Sequence, residues 1–174
     1  WGDETRAQRY SRAAVGMREA IERSLQQVEH RLGYSALPAS PTRRMDSAAV
    51  GSLAASYPLG LLAPDDSRVR GTVEYLIDNC LIHDALYHEI SHSGINPYLT
   101  LHIAQALLRA GDGRYWRLTK GVANLASPTG QWPEAIHPQL KSGCMGDGQH
   151  GWAAAEFLMI VRNCFVREEG DELI

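Results

Sequence analysis

Two kinds of helical segment alternate along this chain, and no other feature constrains its fold as strongly. Tyr10, Ala14, Met17, Ile21, Leu25, Val28 and Leu32 recur at steps of three and four, which predicts one long amphipathic helix with a single apolar stripe. Gly33 stops it, and Pro38 and Pro41 mark the loop that follows. Asp46 is a ready N-cap for the next segment, 47–57, which reads SAAVGSLAASY and carries no charge on any face. A helix without a polar face is expected to be buried all round. The pattern then repeats. Asp66 or Ser67 opens a helix with the stripe Val69, Val73, Leu76, Ile77 and Cys80, and Asn96-Pro97 opens the nearly uncharged segment 98–110. Gly111-Asp112-Gly113 leads into a third amphipathic helix bearing Tyr115, Leu118, Val122 and Leu125, and a polar loop, 127–149, leads to the apolar segment 151–166. No strand-like alternation exceeds four residues, so the sequence reads as all-α. One-sided helices outside and two-sided helices inside predict three antiparallel helical hairpins, half of an (α/α)6 toroid, with 47–57, 98–110 and 151–166 as the buried set.

Composition supports a folded unit. Of 174 residues, 44% are hydrophobic and 21% charged, as in a globular protein, so 1–174 is expected to be a single all-α domain. Net charge is −3, which argues against nucleic acid as a partner, and no apolar run approaches the roughly 18 residues of a membrane span. Cys80, Cys144 and Cys164 are odd in number and form no CxxC pair, so free thiols and a reducing, cytoplasmic setting are expected. The chain begins at Trp1 with no visible signal peptide and stops after Leu173-Ile174. It is therefore expected to be a piece of a larger catalytic domain, with the rest of that polypeptide as a partner, and uncovered apolar surface is expected to favour self-association.

The three long loops, 33–45, 81–96 and 127–149, are where chemistry is expected. Around the third lie Trp132, Glu134, His137, Asp147, His150 and Trp152. An indole face stacks on a pyranose ring, and a carboxylate handles sugar hydroxyls or activates water, so this mixture suits a carbohydrate site. The plainer reading is a rigid surface loop with a tryptophan plugged into the core. The second loop contains His88-Glu89-Ile90-Ser91-His92, which fits H-E-x-x-H and offers a different class of function, a zinc-dependent hydrolase with Glu89 as base. Ser93-Gly94 follows at once and no third ligand stands at an appropriate spacing, so no metal or other cofactor is expected. His102, inside an apolar segment, reads as a core histidine.

Gly94-Ile95-Asn96-Pro97-Tyr98 before an apolar helix, and Trp132-Pro133-Glu134 followed by Gly148-Gln149-His150-Gly151-Trp152-Ala153-Ala154-Ala155, resemble segments of the six-hairpin glycosidases, in particular their glucoamylase-like and glycogen-debranching-like branch. The resemblance implies the C-terminal half of that toroid and inverting hydrolysis of a glycosidic bond, with Glu134 as general base and the acid upstream of this chain. It implies that Tyr98, Asn96, His92, His137, Asp147, His150, Trp132 and Trp152 line the sugar subsites. One departure is that Ala135 follows Glu134 where the family carries a second glutamate or a glutamine. A carbohydrate-binding toroid without chemistry is the third reading.

Overall fold

The computed structural model describes residues 2–89 and 93–174. Helix α1 (Glu4–Leu32) is capped by Asp3, whose carboxylate accepts from the Arg6 amide at 2.9 Å, and ends at Gly33 in the left-handed conformation, φ 76°. A 3-10 helix (Ser47–Ala55) follows, opened by Asp46 accepting from the Ala48 amide at 3.0 Å. Helix α2 (Ser67–Cys80) is capped by Asp66. Three short strands come next, β1 (Leu81–Ile82), β2 (Ala85–His88) and β3 (Gly94–Ile95), then α3 (Pro97–Arg109) and α4 (Arg114–Asn124). Strands β4 (Ala135–Ile136) and β5 (Gly143–Met145) precede α5 (Gly151–Phe165), and a small hairpin of β6 (Glu168–Glu169) and β7 (Glu172–Leu173) follows it.

The first five strands pair in sequence order as one antiparallel sheet, β1-β2-β3-β4-β5, with Tyr87 opposite Ile95 and Ile95 opposite Ile136. This sheet overturns the all-α expectation and, with it, the half-toroid of three plain helical hairpins. The chain is mixed α and β, and two of the segments read as long loops hold the strands. The β1–β2 turn places His83 and Asp84 at φ 53° and 61°, the two left-handed residues of a tight hairpin. Thr100 links sheet to helix: its Oγ1 accepts from the Leu86 amide at 2.9 Å and donates to the Asn96 carbonyl at 2.7 Å.

Burial also departs from expectation. Helix α3 is the centre of the core, with Leu101, Ile103, Ala104 and Leu107 sealed from solvent against Leu76, Leu86, Leu118, Ile136 and Ile160. The 47–57 segment buries Ala49, Val50 and Leu53 but winds as a 3-10 helix. Helix α5 was expected to be buried all round, yet only Ala153, Ile160 and Asn163 are buried, and Leu158 and Phe165 are 70% and 84% exposed. Along α1 only Val28 is buried, and Tyr10 and Met17 of its stripe face solvent. Apolar patterning records which faces avoid water, and here several of them have no partner within the described residues. Among the described residues, no helix is long and apolar enough to cross a membrane.

Helices α3 and α5 lie side by side and run in the same direction. Tyr98 meets Trp152 near their N-termini, and Gln105 meets Glu156 and Asn163 further along. Both helix starts therefore emerge together, next to the segment that leads out of α4.

Candidate functional site

The segment carrying Glu134 is anchored by its neighbour Trp132. The Trp132 indole is 6% exposed, packs on Phe157 at 4.9 Å and donates Nε1–H to the Val122 carbonyl at 2.8 Å. A ring buried in this way offers no face to a sugar, so the structure makes Trp132 a plug that fixes the loop. The Trp132 carbonyl in turn accepts from the His150 amide at 2.8 Å, which ties the Glu134 segment to the start of α5. Glu134 is half-buried, immediately before β4. Gly146, at φ 70°, passes so close that a Cβ there would overlap the Glu134 side chain at both Cβ and Oε2. The glycine lets the backbone approach the carboxylate, and its positive φ is a conformation that L side chains rarely adopt.

At the paired helix starts, four rings form one cluster. Tyr98 lies 4.3 Å from His102 edge-on, 5.5 Å from Trp152 and 6.2 Å from His150, and His150 lies 5.6 Å from Trp152. Trp152 is 67% exposed, so its indole has a face available to a ligand. The His150 Nδ1 is buried with no hydrogen-bond partner among the described residues. Burial lowers the His102 pKa and favours the neutral imidazole, while Tyr98 is raised by burial and then by the negative charge of Glu156.

The other sequence candidates are placed as follows. Asn96 is the N-cap of α3, its Oδ1 accepting from the Leu99 amide at 2.9 Å, which is a structural task. His137 Nδ1 accepts from the Gln139 and Leu140 amides, both at 3.2 Å, and shapes the β4–β5 turn. Asp147 is exposed in the loop before α5. His92 lies outside the described residues. His88 ends strand β2, whereas the H-E-x-x-H geometry requires a helix from its first histidine. Among the described residues no cluster of three or more His, Cys, Asp or Glu side chains could hold a metal.

Sequence reasoning missed Glu156. Its carboxyl group accepts from Gln105 Nε2 at 3.1 Å, and burial raises its pKa, an effect that the Gln105 hydrogen bond partly opposes. The available signal was its place one turn beyond Trp152 as the one acidic residue of α5.

Away from this region, a cavity of about 340 Å³ lies between α2 and α3, where Arg114 is engaged by Asp112 and Glu74. Those ion pairs give Glu74, Asp112 and Arg114 of its lining a structural role.

No protein-family model matches the sequence, and no curated protein matches it significantly. Solved structures do match. A wild-type glycosidase aligns with a TM-score of 0.62 at 18% identity, over 86% of this chain and 44% of its own. A glycosidase variant in complex with glucose aligns with a TM-score of 0.63 at the same identity and coverage. The chain spans less than half the length of the glycosidases it matches, and over that span its fold is glycosidase-like.

Proposed function

We propose that this chain forms one side of a glycoside hydrolase site, with Glu134 as the general base of an inverting hydrolysis. The observation that carries the reading is the hydrogen bond from the His150 amide to the Trp132 carbonyl, which ties the segment bearing Glu134 to the start of α5, where Tyr98, His150 and Trp152 cluster. A carboxylate beside an exposed indole combines a proton acceptor with a platform for a sugar ring. In the reaction, Glu134 takes a proton from water as the water attacks the anomeric carbon, while a carboxylic acid on the opposite face protonates the leaving oxygen. That acid comes from polypeptide outside these 174 residues, and the glycosidase-like fold, matched over less than half the length of its neighbours, supports such a division. The exposed apolar residues of α5 suit contact with the rest of a larger catalytic domain or with a second copy. The three free cysteines fit a reducing, cytoplasmic setting.

Glu134→Gln in the full-length protein tests the assignment, because it keeps the side-chain shape and removes the proton acceptor. The expected result is a kcat lower by about 10²–10⁴-fold with KM little changed, since that is the range of general-base catalysis. Near-normal turnover would remove Glu134 from the mechanism.

A further inference from the structure

Where α3 and α5 meet, a row of amide and carboxyl groups replaces the expected apolar contact. Gln105 and Asn163 are each 1% exposed. Asn163 Nδ2 donates to Gln105 Oε1 at 3.0 Å, and this fixes the Gln105 amide so that its Nε2 donates to Glu156 Oε1 at 3.1 Å. Two buried amides thus hold one half-buried carboxyl group in a single orientation. No cation neutralises it among the described residues, and burial works against its charge. Burying a carboxyl group under those conditions is costly, and among the described residues only its Oε1 takes a hydrogen bond.

The surroundings give the other oxygen, Oε2, a task. Glu156 is one turn along α5 from Trp152, its charge reaches the Tyr98 hydroxyl, and the Tyr98 and Trp152 rings stand 5.5 Å apart. An aromatic surface next to a fixed acceptor matches a pyranose, which has an apolar ring face and a rim of hydroxyl donors. We propose that Glu156 is a sugar-binding residue. It accepts hydrogen bonds from ring hydroxyls through Oε2 while the ring rests on Trp152 and Tyr98, and Gln105 and Asn163 act as positioning residues that hold its carboxyl group. This deepens the glycosidase reading and rests on it.

The test uses Glu156→Gln, which preserves shape and the Gln105 contact, and Trp152→Ala, which removes an exposed ring without touching the core. Binding of glucose, galactose and mannose is titrated separately by calorimetry, alongside thermal unfolding and turnover by the full-length protein. Glu156→Gln should melt no lower than wild type and bind the preferred sugar about ten-fold or more weaker, because a hydrogen bond to a charged group is lost. Its KM should rise more than its kcat falls, the reverse of Glu134→Gln. Trp152→Ala should also bind more weakly. Unchanged binding in either variant, or loss of folding in Glu156→Gln, overturns the proposal. Wild-type protein that hydrolyses substrate through Glu134 but binds none of the three sugars overturns it as well and leaves the glycosidase reading standing. Absence of both binding and turnover overturns the two together.

Discussion

Replacing Gly146 by alanine adds one methyl group where the chain passes closest to Glu134. Two separate effects follow. The first is local: φ at 146 is 70°, and an alanine in the left-handed region is disfavoured by roughly 1–2 kcal/mol. For a chain of this size that lowers Tm by about 2–8 °C. The second is specific to the site. The added Cβ would overlap Glu134 Cβ and Oε2 and lie 3.1 Å from Cδ, so the carboxylate has to move by about 1 Å to reach ordinary contact distance. A displacement of that size in a reacting group lowers kcat by about 10²-fold. Gly130→Ala separates the two effects, because Gly130 has φ 75° and nothing within 4 Å of its Cβ position. Both variants should melt lower, Gly146→Ala by more because its Cβ also overlaps Glu134, and only Gly146→Ala should lose turnover in steady-state kinetics of the full-length protein. Equal kcat values in the two variants would refute the view that Gly146 positions a catalytic carboxylate.

Two further outcomes can be checked by equilibrium denaturation. Gly71 lies inside α2, where alanine would ordinarily raise helix stability by roughly 1 kcal/mol, but its added Cβ would run into the Ser35 carbonyl oxygen. Gly71→Ala should therefore destabilise the chain by about 1–3 kcal/mol in urea, and a gain would show that the backbone approach is not limiting. The second concerns pH. Burial lowers the folded-state pKa of His102, so the unfolded chain takes up this proton first, and stability should fall as pH drops below about 6.5 toward the lowered folded value. Glu156, which faces Tyr98 from α5, acts in the other direction, since its raised folded-state pKa makes stability fall as pH rises above about 4.5. His102→Gln should flatten the first window and leave the second in place.

Local chemistry was legible in the sequence. Asp46, Asp66 and Asn96 cap the helices they were expected to open, and the stripes of α2 and α4 are buried at Val69, Val73, Leu76, Leu118 and Val122. Those features depend on residues within three or four positions of one another, so near neighbours suffice to determine them. The sheet was not legible, because strands of two to four residues are too short to display a period of two, and their pairing joins residues as distant as Ile95 and Ile136. Residue types in the candidate site were visible, but their assignment was not. Trp132 and Trp152 look alike in sequence, and only packing puts one against Phe157 in the core and the other in the open beside Tyr98. The place of Glu156 one turn beyond Trp152 was visible in the sequence, but its environment was not, since that is built by Gln105 and Tyr98 on another helix. Tertiary structure decided which apolar faces were covered and which carboxyl groups were enclosed, because burial and charge depend on what arrives from elsewhere in the chain.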